Sequence, residues 1–263
     1  MDIKEYNVNT EQQKQNHPWE YARLEVIFDL LSKKTLSKEQ ISSGELTILD
    51  VGCGDAFFLN ELSKRLPKAN CFAIDTAFDD ESIAFFAEKY KGINFYPSIE
   101  HEDLSKIKID VILLLDVIEH IENDVDFLKK LTEMPGFSAD TRIIISVPAY
   151  QNLFCSHDTW LGHYRRYTVK KLRNHIGQAG FISDQDGYFF FSLLLARIIQ
   201  KFKENMIKPD LTKVSGIGDW NGGKTISKII KTVLVWDYKI SKIKRIFGIR
   251  LPGLSTYTIC RKQ

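Results

Sequence analysis

The chain has 263 residues, 44% hydrophobic and 27% charged, which excludes wholesale disorder and suits one large domain or one domain with an elaboration. The formal net charge is +2, so no general attraction to nucleic acid follows. The four cysteines, Cys53, Cys71, Cys155 and Cys260, form no CxxC pair and read as reduced thiols of a cytoplasmic protein.

Residues 1–16 are polar and read as an arm, not as a signal peptide. From Trp19 to Leu31 the apolar residues Trp19, Ala22, Val26, Ile27 and Leu30 recur at a helical period. Strands and helices then alternate. Leu46–Val51 is a buried strand running into glycines, and Phe57–Leu66 is a helix stopped by Pro67. Strands are expected at Cys71–Asp75, Ile93–Tyr96, Asp110–Asp116 and Arg142–Val147, with helices at Asp80–Tyr90 and Asp124–Met134. Strands that read as unbroken apolar runs are covered on both faces, and with helices between them they form a parallel, doubly wound sheet. After Pro148 comes a loop rich in His, Arg and aromatics. A helix from Thr168 to Gly180, two apolar-basic segments and a strand-like Ser255–Cys260 follow. The longest apolar run, Tyr188 to Ile199, is interrupted by Ser192 and Arg197 and falls short of the roughly 20 residues of a spanning helix.

Chemistry concentrates in four places. The first is Asp50-Val51-Gly52-Cys53-Gly54-Asp55, where glycines after a buried strand let the backbone approach a ligand closely. A nicotinamide fingerprint, GxGxxG, would need a small residue where Phe57 stands, and Asp50 would sit badly beside a pyrophosphate. A cation-bearing ligand such as S-adenosylmethionine suits the acidic loop better. The second is Asp75, 21 residues past Gly54, placed to accept ribose hydroxyls in either cofactor class. The third is Asp116-Val117-Ile118-Glu119-His120 at the carboxyl end of a strand, where open α/β sheets bind ligands. The fourth is Ser156-His157-Asp158 with Leu161-Gly162-His163-Tyr164-Arg165-Arg166-Tyr167-Thr168. A hydroxyl or acid acceptor must lose a proton, and histidine is the natural base near neutrality. His157 is the first candidate, followed by His163 and His120. Arg165 and Arg166, with Tyr167 beside them, could bind an anionic acceptor. The competing structural reading has an arginine tying the loop to the fold and Thr168 capping the next helix.

LDVGCGD, AID, LLDVIEHIEN and SVPAY, in this order and spacing over residues 46–181, resemble the class I S-adenosylmethionine-dependent methyltransferases, above all the branch that includes the ubiquinone O-methyltransferases. The resemblance implies a Rossmann-like fold: a doubly wound, mostly parallel seven-stranded sheet with a helical C-terminal elaboration. It implies an arm and helix over 1–45, a cofactor-binding core over 46–185 and a lid-like or membrane-facing elaboration over 186–263. Gly52 and Gly54 would line the methionine portion, with Asp50 near its ammonium and Asp75 on the ribose. Asp116 and Val117 would make backbone contacts, and Arg23 would meet the cofactor carboxylate. Ser98, Glu100 and Glu102 stay open as partners of the adenine amine. The family often carries glycine where Ala56 stands. Asp116, Glu119 and His120 match a spacing associated with a divalent metal in the ubiquinone branch. Many relatives carry the motif without one, and no metal is expected here. Glu119 and His120 also fit a plain helix start.

Between Lys224 and Arg250 stand eight Lys or Arg and one acid, Asp237, with apolar residues at three- and four-residue steps. This is an amphipathic helix that either lies on an anionic membrane or roofs the pocket with its neighbour. The expected reaction is methylation, at oxygen, of a small or lipid-linked acceptor by a cytoplasmic enzyme, with peripheral contact at the inner membrane surface as one of the two readings of the stripe. No nucleic-acid partner is expected. Two alternatives are a NAD-dependent oxidoreductase, disfavoured by Phe57, and a non-catalytic membrane-associated binding protein on the same fold.

Overall fold

The computed structural model describes residues 16–36, 38–43, 45–207, 220 and 222–263. The polar arm expected at 1–16 lies outside them except for Asn16.

Helix α1, Pro18–Leu30, opens with proline in its first turn. The His17 side chain accepts from the Trp19 amide at 3.1 Å, supplying one of the caps a helix start lacks. A π-helical turn, Leu31–Thr35, and helix α2, Lys38–Ser43, lead to the sheet. The alternating core follows as β1 Thr47–Val51, α3 Phe57–Ser63, β2 Asn70–Ile74, α4 Asp80–Lys89, β3 Ile93–Tyr96, β4 Val111–Leu115, α5 Asp124–Leu131 and β5 Arg142–Pro148. The remaining elements are α6 Ser156–Leu161, α7 Val169–Gln178, β6 Phe181–Phe189, α8 Phe191–Met206, α9 Gly223–Ile246 and β7 Ser255–Lys262.

The seven strands form one sheet in the order β3-β2-β1-β4-β5-β7-β6. The first five are parallel, while β7 runs antiparallel to both β5 and β6. All of β4 and the interior of β5 are buried, because helices cover both faces of the sheet. The order reverses between β1 and β4, so the carboxyl ends of β1, β2 and β4 open a crevice at the switch point.

β6 is the strand that the sequence conceals. Ser183, Asp184, Gln185, Asp186 and Gly187 occupy its middle, so no two-residue apolar period exists. It is an edge strand with a bulge between Ser183 and Gln185, and the buried Asp186 is held by Arg173. The apolar run Tyr188 to Ile199 is thus two elements, the end of β6 and the first turns of α8, joined at Phe190 with φ of 66°.

Helix α9 packs on α1. Tyr238 donates to Asp29 at 2.8 Å, Lys242 pairs with Asp29 at 2.6 Å and Lys231 with Glu25 at 3.0 Å. This corrects the roof expected of both C-terminal helices: α8 contributes Leu193 and Arg197 to the crevice wall, whereas no residue of α9 lines it.

Candidate active site

A cavity of about 690 Å³ fills the crevice, within the range of small-molecule sites. Its floor is the turn after β1. The amides of Gly52 and Cys53 both donate to the Ile74 carbonyl, at 2.7 and 3.1 Å. Asp75 ties the same loop down: its carboxylate accepts from the amides of Gly54 and Ala77, each at 3.0 Å. Gly52 has φ of +72°, and a Cβ there would stand 2.7 Å from Val117 Cγ2. The glycine therefore allows Val117 to close against the loop. Ala56, where the resembling family often carries glycine, holds φ of 54°, the left-handed region that disfavours a side chain.

Asp50 sits beneath this floor, 2% exposed. Burial pushes its carboxyl up to about 7, against the opposing pull of the Arg23 guanidinium. Arg23 reaches across from α1, buried over the Trp19 ring at 4.4 Å, and pairs with Asp116 at 2.6 Å. Its buried Nε has no hydrogen-bond partner. Asp116 itself adopts φ of 60°, a strained turn that aspartate tolerates better than most residues.

These groups suit S-adenosylmethionine. A desolvated acid gains from a nearby cation, an orphaned buried guanidinium N–H gains from a carboxylate, and the loop brings backbone amides to the cavity. Of the three residues left open for the adenine, Ser98 is in the wall, whereas Glu100 and Glu102 are not.

The opposite wall comes from the loop after β5. Gly162, with φ of 78°, ends α6 and folds the chain back so that Asp158 meets both His163 and Arg166. Asp158 is fully buried. Its carboxylate takes Nδ1 of His163 at 2.9 Å, Nε and Nη2 of Arg166 at 2.8 and 2.9 Å, and the Cys155 amide at 2.9 Å. Burial alone would raise its pKa. The His163 hydrogen bond and the Arg166 charge outweigh that and hold it well below the ordinary carboxylate range.

His120, His157 and His163 all reach the cavity. His157 has its pKa pushed down to about 4 by burial and by the neighbouring Arg197 charge. The His120 and His163 rings meet edge to face at 4.5 Å. Glu119 is wholly buried beside them with neither carboxylate oxygen hydrogen-bonded. Burial, then the Asp116 charge, raises its pKa well above the usual range. Ligand atoms of Glu119, His120 and His163 lie within 4.8 Å of one another, a set able to hold a divalent cation. The grouping takes His163 in place of Asp116, which is paired with Arg23.

Arg23, Asp50, Gly52, Gly54, Asp75, Asp116 and Val117 all line the cavity. Two of the three residues expected to bind the acceptor do not. Arg165 spends its guanidinium on the Ile121 and Glu122 carbonyls and on Asp124 at 3.2 Å. Tyr167 is fully buried, donating to Asp124. Arg166 reaches the cavity but is committed to Asp158, and Thr168 caps α7. The dense loop is thus partly structural. Sequence reasoning missed Glu20, Phe58, Leu193 and Arg197 in the wall. Arg197 had left one signal, as the charge that interrupts an apolar run. A second cavity of about 340 Å³ lies between α9 and the β6/β7 edge and contains none of the residues expected from the sequence.

The sequence model of a family described as "Methyltransferase domain" matches residues 19–207. A ubiquinone biosynthesis O-methyltransferase of Rickettsia bellii is 33% identical over 91 residues, 34% of this chain and 37% of the relative. A malonyl-[acyl-carrier protein] O-methyltransferase of Bacillus cereus is 24% identical over 156 residues, 57% of this chain and 55% of the relative. The matches thus span about a third to a little over half of these relatives. Among solved structures, coclaurine N-methyltransferase bound to N-methylheliamine and SAH superposes with a TM-score of 0.54 at 13% identity, covering 92% of this chain and 70% of that one. At that identity the likeness is one of fold.

Proposed function

This chain belongs to the methyltransferase-domain family, and from that premise we propose that it transfers a methyl group from S-adenosylmethionine to an oxygen of a small or lipid-like acceptor. The observation that carries the reading is one cavity with two unlike walls: an acidic, glycine-rich floor at the strand ends and a histidine-bearing loop opposite it. When bound, S-adenosylmethionine supplies an electrophilic methyl on a sulfonium. The residues of the chain do the rest. Asp75 receives the ribose, the Gly52–Gly54 turn and Asp50 take the methionine end with its ammonium, and Arg23 receives the carboxylate. Residues 46–185 act as the cofactor core and α8 as part of the acceptor wall.

The base is assigned to His163 rather than His157. Asp158 holds the Nδ1 side of His163, which fixes the tautomer that leaves Nε2 to accept a proton, the logic of a carboxylate–histidine pair. His157, depressed to about 4, is a poor base near neutral pH. Nε2 of His163 would take the proton that the acceptor hydroxyl must lose. Alignment of the two reactants in the cavity would supply much of the rate. The test is labelled-methyl transfer from S-adenosylmethionine to a cell extract, with the product identified. On that acceptor, His163→Asn should lose most of kcat with little change in cofactor affinity, and His157→Ala should keep most of it. The reverse order moves the base to His157, and absence of any labelled product defeats the reading.

The partnerless Glu119 carboxylate favours a second reading. Glu119, His120 and His163 would hold a divalent cation, which would act as a Lewis acid on the acceptor oxygen. Metal analysis of the purified protein, beside Glu119→Gln, separates the two: stoichiometric metal lost in the variant supports the cation, and its absence in both leaves the histidine base.

A further inference from the structure

We propose that α8 and α9 together form a docking face for an anionic membrane surface. Fifteen of the eighteen large apolar side chains that are exposed among the described residues lie between Leu195 and Ile249. They are ordered in stripes. On α9, Ile226, Ile229, Val233, Trp236, Ile240 and Ile243 recur at steps of three and four and are each 46–59% exposed. Such spacing places them on one face of the helix. The opposite face, with Leu234 and Tyr238 buried, is the one that packs on α1. On α8, Leu195, Ile198, Ile199, Phe202 and Met206 form a second exposed stripe. Singly exposed apolar residues are ordinary, but two contiguous stripes mark an interaction surface.

Charge selects the occupant. Residues 191–207 and 222–250 carry eleven Lys or Arg and two acids. Both acids are committed inside the protein: Asp237 accepts from the Ser192 amide and hydroxyl at 2.7 and 2.8 Å, and Glu204 accepts from the Ser156 amide and hydroxyl at 3.1 and 2.9 Å. The outward charge around the stripes is therefore positive, with Lys224, Lys228, Lys239 and Lys244 all exposed. An apolar stripe bordered by lysines matches a bilayer with anionic headgroups, and it would repel a second copy of the same face. No described helix is long and apolar enough to cross a membrane, so the helices lie on the surface.

The placement bears on access. Leu193 and Arg197 of α8 line the cavity while Leu195 and Ile198, on adjacent turns, face outward. A bilayer on α8 would therefore sit beside the acceptor wall. This last step rests on the proposed methyl transfer, but docking itself does not and is read without turnover.

The experiment is vesicle flotation of the full chain with phosphatidylcholine alone and with an equal mixture of phosphatidylcholine and phosphatidylglycerol. Two variants accompany it, Ile229→Glu/Trp236→Glu/Ile243→Glu and Lys224→Gln/Lys228→Gln/Lys239→Gln. All six positions are exposed, so both variants should keep the wild-type circular dichroism and thermal midpoint, which are measured alongside. Binding is expected only to the mixed vesicles. The apolar triple variant should abolish it, and the lysine variant should weaken it by about fivefold per charge removed, or about a hundredfold in all. Overturning results are no flotation with the mixed vesicles, equal flotation with both compositions, or binding that survives the apolar triple variant. A stable dimer in solution that the apolar variant converts to monomer would also overturn the proposal, assigning the face to self-association.

Discussion

Replacing Arg166 by methionine should cost about 3 kcal/mol of stability. The guanidinium and Asp158 are 2% and 0% exposed, and they share two hydrogen bonds, at 2.8 and 2.9 Å. Removing one partner of such a pair leaves the other charge desolvated and costs about 3–5 kcal/mol. Asp158 keeps the Cys155 amide and His163, so the lower end applies. Methionine preserves most of the apolar stem, so the loss reports charge rather than volume. With a urea m-value of about 3 kcal/mol/M, the midpoint should fall by roughly 1 M. The pH dependence has a definite sign. The folded pKa of Asp158 lies below its unfolded value, so its stabilising contribution is present above about pH 4 and lost as pH falls through the folded pKa. The deficit of Arg166→Met should therefore be full at pH 7 and narrow below pH 4. Urea unfolding at both pH values settles the matter. A deficit under 1 kcal/mol at pH 7, or one that fails to narrow below pH 4, would refute the buried pair.

Three other outcomes follow from the same geometry. Glu119 has its folded pKa raised by burial, so its carboxylate destabilises the fold increasingly as pH rises above about 4. Glu119→Gln should leave the thermal midpoint in chelator nearly unchanged at pH 4 and raise it at pH 8, and a lower midpoint at pH 8 would contradict the partnerless carboxylate. Ala56→Gly relieves a left-handed alanine and should stabilise by about 0.5–1 kcal/mol in denaturant unfolding; destabilisation would refute the strain at this turn. Gly52→Ala would press a Cβ onto Val117 and should weaken S-adenosylmethionine binding at least tenfold by calorimetry, whereas unchanged affinity would remove the loop from the site.

Buried parallel strands were legible because apolar residues dominate them; β4, Val111–Leu115, is wholly apolar and the clearest case. Helix starts at Phe57, Asp80 and Asp124 were legible too, but their expected ends lay up to three residues past the observed ones, where the chain tightens into turns such as Arg65 N to Leu62 O and Glu133 N to Lys130 O. β6 was hidden because its middle is polar and its pairing partner β7 lies some seventy residues away. The seven residues expected at the cofactor line one cavity, and six of them could be placed because they stand at or just past strand ends. The loop after β5 could not be read this way. Whether Arg165 faces a ligand or the Ile121 carbonyl depends on the turn at Gly162, and the ranking of His157 over His163 depends on burial and on Asp158, neither of which spacing reveals. Arg165 and Tyr167 looked like binding residues for the same reason: a charged, aromatic loop has one composition whether it serves a substrate or holds itself together.

The proposed function requires that the Asp50–Gly54 turn and Asp75 hold S-adenosylmethionine. Calorimetric titration of the full chain with S-adenosylmethionine and, separately, with NAD tests it most directly, with Asp75→Ala as the companion. One-site binding of S-adenosylmethionine, none of NAD, and a loss of at least tenfold in the variant are the predicted results. Binding of NAD in place of S-adenosylmethionine, or an Asp75→Ala variant with unchanged affinity, would contradict the account.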